Sequence, residues 1–291
     1  MNSDVENTGA LPMTPSNPDV KWEASTSTDL GFDLTMLHNR LTITADYYRN
    51  KTNDMLVNVP IARSAGYLSV FPTMNAGSIE NKGFEFIATW RDHIGNNLDY
   101  SVSANFSTVK NKVINLGANN EIFAASGITC TQVGHSIGQF WGYKTAGLFK
   151  TDAAYVNQKG ERLEPNAKAG DIKFLDLNGD GTIGSADMGF IGNPIPDFTY
   201  GITAEAQYRS VVGTFDFSMV WNGSQGNDIY NNTRSYGEGM YHNYACFTSV
   251  KNRFRAEDIT FVNPLSGKTT FYPKNTDTNI PRAVYGDPNQ N

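Results

Sequence analysis

The chain has 291 residues, 18% of them charged and 12% aromatic, with 27 glycines and a formal net charge of −6. That length holds one large or two ordinary domains, and the charge content falls below the ~25% usual in soluble domains. The acidic balance excludes a nucleic-acid footprint, and no run of ~18 apolar residues is present to make a transmembrane helix.

Residues 1–20 are polar and proline-rich, and lack the basic start and apolar core of a secretory signal. If the protein is exported, the signal is expected upstream. From there the chain alternates apolar and polar residues at period two, in three pairs of segments. The first pair, near 22–37 and 41–57, sets Leu30, Phe32, Leu34, Met36 and then Leu41, Ile43, Ala45, Tyr47 on one face. Asp29, Asp33, Thr35, Thr42, Thr44 and Asp46 fall on the other. Successive side chains of a strand point to opposite sides, so the pattern predicts a sheet with one apolar and one polar face.

The second pair, near 83–92 and 98–110, carries Phe84, Phe86, Ala88, Trp90 and then Leu98, Tyr100, Val102, Ala104, Phe106. The third, near 197–209 and 212–222, carries Phe198, Tyr200, Ile202, Ala204, Ala206, Tyr208 and then Phe215, Phe217, Met219, Trp221. No charge falls on these apolar faces. The connections within pairs are short, whereas 58–82, 111–196 and 223–291 read as long loops, with short helices predicted at 151–158 and 244–258. Trp90, Tyr100 and Tyr208 lie near the short turns, and Tyr47, Tyr200 and Trp221 near the long loops. Two aromatic levels bounding an apolar band, with short turns at one end and long loops at the other, are the marks of a membrane barrel. The fold predicted over 1–291 is all-β: a partial antiparallel transmembrane β-barrel of six strands in three hairpins with long extracellular loops. Open edges are not tolerated in lipid, so it reads as a fragment of a larger barrel. A soluble sandwich is the competing reading, because its buried face alternates in the same way.

Three local motifs bear on chemistry. Asp176, Asn178, Asp180, the Thr182 carbonyl and Asp187 follow calcium-loop spacing, with Gly181 at the sixth position. They predict a structural Ca²⁺, although Asp187 stands where Glu is usual and the preceding Gly170–Phe174 stretch is extended. The competing reading is a tight Asx and glycine turn. Gly134-His135-Ser136-Ile137-Gly138 matches the G-x-S-x-G elbow of hydrolases. The next residues, Gln139-Phe140-Trp141-Gly142-Tyr143, make a poor helix start, so no enzyme is predicted. The four histidines have no metal-type spacing. Cys130 and Cys246 are far apart and either bond or stay free. The loop aromatics Trp141, Tyr143, Tyr230, Tyr236, Tyr241 and Tyr244 are candidates for stacking on sugar rings, or for packing the loops together.

Several stretches resemble the C-terminal barrel region of the SusC/RagA family, the TonB-dependent outer-membrane transporters of Bacteroidetes. They are Asn17-Pro18-Asp19-Val20-Lys21-Trp22-Glu23, Asp46-Tyr47-Tyr48 with Lys51-Thr52-Asn53-Asp54-Met55-Leu56, and Asn75 through Glu85. Gly134 through Tyr143, the Asp176–Gly181 loop and Gly192 through Gly201 come next, in the family's order. The resemblance covers most of 17–260 and makes the GHSIG stretch a family turn. It implies a plugged barrel of about 22 strands, a SusD-like surface lipoprotein as lid, TonB as energy source, a glycan or peptide substrate, and an outer-membrane location. The plug and TonB box are absent from these residues. Asp33, Asp46, Glu85, Arg91, Asp99, Glu205, Arg209 and Asp216 are expected to line the lumen. The alternative is a secreted, calcium-stabilised carbohydrate-binding β protein without transport.

Overall fold

A computed structural model describes residues 17–58, 64, 73–117, 121–123, 127–151, 163–164, 166–240 and 246–283. The chain divides into two units, Met1–Phe140 with Gly192–Asp228, and Trp141–Ile191 with Ile229–Asn291.

The first unit is a seven-stranded antiparallel sheet. Its strands are β1 (Ala24–Met36), β2 (Leu41–Asn58), β3 (Thr73–Ile94), β4 (Leu98–Thr108) and β5 (Lys110–Leu116). Three further short strands come after them: β6 (Glu121–Phe123), β7 (Thr129–Gln132) and β8 (Gln139–Tyr143). The second unit then begins and contributes β9 (Thr145–Leu148), β10 (Ile172–Phe174) and β11 (Met188–Gly192). The main sheet resumes with β12 (Phe198–Ser210) and β13 (Gly213–Gln225). After it come the helix α1 (Asn232–Glu238) and the hairpin of β14 (Ile259–Val262) and β15 (Thr269–Tyr272). Strand order in the sheet is β1-β2-β3-β4-β12-β13, with β5 continuing β4 alongside β3. The sheet is open.

Register is set by the apolar pattern, because a slip of one residue would turn every side chain to the wrong face. Leu34 opposes Ile43, Ile43 opposes Ala88, Ala88 opposes Ala104, Ala104 opposes Ile202 and Ile202 opposes Trp221. One uninterrupted apolar row thus crosses six strands. The β1–β2 connection, 37–40, runs through Leu37, His38 and Asn39, all with positive φ (56°, 57° and 65°), and the Arg40 amide donates to the Leu37 carbonyl at 3.3 Å.

Among the described residues, most large side chains of the apolar face are bare. Leu30 is 75% exposed, Phe32 and Phe215 59% each, and Trp221 64%. In water a monomer rarely leaves so large a contiguous apolar surface bare. Ala45 on that face is buried between its cross-strand neighbours Phe32 and Phe86, and a separate buried cluster of Ile79, Val113 and Leu116 with Met55 sits at the loop end of β2, β3 and β5. There Gly134–Ile137 runs beside β5. The Val113 amide donates to the His135 carbonyl at 2.8 Å, and the Gly134 amide donates to the Val113 carbonyl at 2.8 Å.

Two glycines inside strands mark where rings cross the sheet. Tyr48 opposes Gly83 and Tyr200 opposes Gly223. A Cβ on Gly83 would meet the Thr108 carbonyl at 2.0 Å and the Tyr48 hydroxyl at 2.6 Å, and the Tyr48 hydroxyl donates to that same carbonyl at 3.3 Å. Gly83→Val is expected to weaken the barrel by about 1–3 kcal/mol through overpacking, read as a lower urea midpoint for the full-length protein folded into vesicles.

The strands extend further than alternation indicates. β3 begins at Thr73, inside the expected 58–82 loop, and β5 occupies the start of the expected 111–196 loop. The helix expected at 244–258 is, in its described part, a short 3₁₀ turn at Thr248–Asn252. All of the helix expected at 151–158 except Thr151 lies outside the described residues.

Candidate ligand-facing surfaces

The polar face of the first unit forms a groove of about 920 Å³ at the short-turn end. Its walls include Arg40, Arg91, Asp99, Glu205, Gln207 and Asp216. Cross-strand register brings these groups together. Arg209 donates to Asp99 at 2.5 Å and to Gln207 at 2.9 Å, and Gln207 donates to Asp216 at 2.9 Å. One hydrogen-bonded chain thereby links β4, β12 and β13. Arg40 pairs with Asp92 at 3.2 Å, and the Ser101 hydroxyl reaches Glu205 at 3.4 Å. Further along the same face Thr44 donates to Asp33 at 2.6 Å, while Thr89 and Ser103 pair at 2.9 Å. Of the residues expected on the lumen side, Asp33, Arg91, Asp99, Glu205, Arg209 and Asp216 belong to this groove or its hydrogen-bonded lining. Such half-exposed pairs add little stability individually. What they supply is a wet wall of fixed donors and acceptors.

The second unit holds the loop residues. Trp141 packs edge-on against Phe190 at 5.0 Å, and Tyr143 tilts against Phe174 at 5.1 Å, so both rings are engaged in packing the unit. Tyr230 and Tyr236 are 47% and 48% exposed. Tyr241 and Tyr244 lie outside the described residues. Beside α1 a cavity of about 400 Å³ is lined by Gly147, Ile172, Arg234, Glu238, Asn279 and Pro281, among others. Arg234 donates to Glu238 at 2.6 Å, the Ser249 hydroxyl donates to Glu238 at 2.8 Å, and these two donors hold the Glu238 carboxyl below its ordinary range. The unit is tied internally by a group that sequence reading passed over. Asp171, fully buried, accepts both donors of the Arg282 fork, at 2.5 and 3.1 Å.

The Asp176–Asp187 loop closes on its own amides. Asp176 accepts from Gly179 at 2.7 Å and Gly181 at 3.0 Å, Asn178 from the Asp180 amide at 2.8 Å, and Asp180 from the Thr182 amide at 2.8 Å and hydroxyl at 2.7 Å. The hydroxyl of Thr182 and the side-chain amide of Asn178, which donates at 2.8 Å, are the chief reasons the Asp180 carboxyl sits low. Asp187 is buried and takes the amides of Leu177 at 2.9 Å and Gly184 at 2.8 Å. Among the described residues no three His, Cys, Asp or Glu side chains converge as a metal site requires. The side-chain oxygens of Asp176, Asn178, Asp180 and Asp187 thus each accept from donors of the loop itself. The expected result is that EGTA leaves amide exchange at Leu177 and Gly184 unchanged, while Asp187→Ala speeds it by ten-fold or more. Slowing by added Ca²⁺ would restore the metal reading.

Ser136 donates to the Asn111 carbonyl at 3.0 Å, and the residues after it form strand β8. A nucleophile elbow needs a helix there. Cys130 is buried and Cys246 is exposed.

A sheet that is polar on one side and bare and apolar on the other, with short turns at one end, defines a segment of a transmembrane β-barrel wall. Residues 2–244 match the family described as TonB dependent receptor-like, beta-barrel, and the chain belongs to that family. The curated relatives include TonB-dependent receptor P26 of Formosa agariphila, 32% identical over 272 residues, which cover 90% of this chain and 26% of the relative. TonB-dependent receptor SusC of Bacteroides thetaiotaomicron is 29% identical over 216 residues, 74% of this chain and 20% of the relative. The RagAB peptide transporter shares the fold with a TM-score of 0.67 at 19% identity, over 97% of this chain and 28% of that one. The chain spans about a quarter of the length of these relatives.

Proposed function

We propose that the chain supplies part of the barrel wall and the outer loops of a TonB-dependent importer in a Gram-negative outer membrane. The importer takes up glycans or peptides, with a SusD-like surface lipoprotein as lid and TonB as energy source. The carrying observation is the bare apolar face opposite a hydrogen-bonded polar face. Lipid accounts for the first, and a lumen holding plug, water and solute accounts for the second. A compact secreted carbohydrate binder would need a second layer of protein over Leu30, Phe32, Phe215 and Trp221, and these residues are uncovered. The relatives' names support a TonB-dependent receptor, and the RagAB peptide transporter, similar in fold, supplies the peptide option.

The test is to make the full-length gene product in its own cells and in a deletion strain. Carbonate washing should leave it in the membrane, and the deletion should abolish uptake from at least one pool in a panel of oligosaccharides and peptides. Release by carbonate would overturn the membrane reading. Retention with uptake unchanged across the panel would overturn the importer reading alone.

A further inference from the structure

Beyond the aromatic level at the loop end, the outward face of the sheet turns abruptly basic. Tyr47 opposes Phe84. Two residues further along, Arg49 opposes Lys82 and Lys82 opposes Lys110. Two residues beyond those, Lys51 opposes Glu80 and Glu80 opposes Lys112. Five cations thus stand on one patch of β2, β3 and β5 with a single carboxylate among them. Glu80 is taken by Arg49, which donates from two guanidinium nitrogens at 2.9 and 2.5 Å. Among the described residues Lys51, Lys82, Lys110 and Lys112 form no ion pair, and Lys82, Lys110 and Lys112 are exposed.

Like charges set directly opposite each other across strands repel, so the Arg49–Lys82–Lys110 row works against the folding of the sheet unless an anion bridges it. The cations also sit at a definite depth. Two residues beyond Tyr47 is about 7 Å along a strand, or about 5 Å along the membrane normal at a tilt of ~45°. The polar headgroup layer is roughly 5–8 Å thick on each side of the hydrocarbon core, so the row falls within it. The opposite end of the same face carries fewer cations, with Asp92, two residues beyond Trp90, paired to Arg40 of the turn. Its strand positions Met36, Leu41, Ile94, Leu98, Tyr208 and Phe215 include no cation. The asymmetry matches a bilayer whose loop-side leaflet carries phosphorylated glycolipid.

Resting on the membrane reading above, we infer that Lys82, Lys110 and Lys112, with Lys51 beside them, bind the phosphate groups of an outer-leaflet glycolipid headgroup. Each ammonium is a strong point-charge donor to phosphate. The Arg49–Glu80 pair holds the patch in place and leaves the lysines to the lipid.

The experiment uses the full-length receptor in detergent, titrated with phosphorylated lipid A, with dephosphorylated lipid A and with inorganic phosphate, and read by native mass spectrometry. Wild type should bind the phosphorylated lipid at least ten-fold more tightly than the dephosphorylated one. A Lys82→Gln/Lys110→Gln/Lys112→Gln variant should lose most of that preference while keeping the heat-modifiable mobility of a folded barrel. Inorganic phosphate at millimolar concentration should not compete. Equal binding of the two lipids, an unchanged preference in the variant, or full competition by inorganic phosphate would each overturn the assignment, the last by making the patch a site for free phosphate. Those results leave the importer reading standing, whereas release of the receptor by carbonate would remove both.

Discussion

Ala104→Arg in the full-length receptor will weaken the folded barrel by about 2–4 kcal/mol, the depth-dependent cost of an arginine on the lipid side near mid-bilayer. Ala104 sits in the middle of the apolar row, between Ala88 and Ile202, and its side chain faces outward with nothing over it. Ser103→Arg, one residue away and facing the polar side, should cost only about 1 kcal/mol, the worth of the Thr89–Ser103 hydroxyl pair it replaces. Thr28→Arg is the third arm. It lies on the outward face but opposite Arg49, at the level of the basic row, and should cost about 0–1 kcal/mol. Urea unfolding from vesicles reads all three. A protein with water on both faces would tolerate Ala104→Arg as well as Thr28→Arg. Only a hydrocarbon layer makes the penalty depend on depth along one face, so equal effects would sink the lipid assignment.

The same physics explains which strands were legible in the sequence. Alternation exists because one side of a strand meets hydrocarbon and the other meets water. Within that slab the register of all six strands was set by Leu30, Phe32, Phe86, Phe106 and their neighbours. Above the slab the reason for alternation ends, yet backbone pairing continues. Residues 73–82 of β3 carry Asn75, Glu80, Asn81 and Lys82 and read as a polar loop, but they pair with β2 as far as Asn58 and with β5 up to Leu116. Only the partner strand reveals them, and a single hydrophobicity pattern contains no partner.

The candidate surfaces divide along similar lines. The polar wall was legible because Asp99, Glu205, Arg209 and Asp216 occupy the inward positions of strands whose faces were already fixed. Their union into one hydrogen-bonded chain was not, since Asp99 and Arg209 are 110 residues apart. The Asp176–Asp187 motif was visible as oxygen spacing, and spacing alone does not distinguish ligands aimed at a cation from acceptors aimed at loop amides. Trp141 and Tyr143 were picked out as aromatic loop residues, but their contacts with Phe190 and Phe174, 49 and 31 residues away, left no local signal.

The pair that holds the second unit together left no local signal, and it carries the other large expectation. Asp171 is wholly buried, and its carboxylate is met by the Arg282 fork and by the Lys168 amide at 2.9 Å. The backbone joins in: the Arg282 amide donates to the Gly170 carbonyl at 2.9 Å, and the Phe149 amide donates to the Asp171 carbonyl at 2.9 Å. Gly170 has φ +92°, and a Cβ there would meet Phe254 at 2.5 Å, so no side chain fits at the joint. Arg282→Ala strands a buried charge, and breaking such a pair from one side costs about 3–5 kcal/mol. Amide exchange at Phe149, and at Arg255 whose amide donates to the Asn275 carbonyl at 2.9 Å, should rise by at least a hundred-fold, which corresponds to about 2.7 kcal/mol, while exchange in β12 is unchanged. Arg282→Lys should fall between, since an ammonium keeps the charge but loses the fork. The double variant Asp171→Leu/Arg282→Met should recover most of the loss, because an apolar pair of similar volume leaves no charge to satisfy. If the single and double variants exchange alike, the penalty came from lost packing at Arg282 and the ion pair holds nothing together.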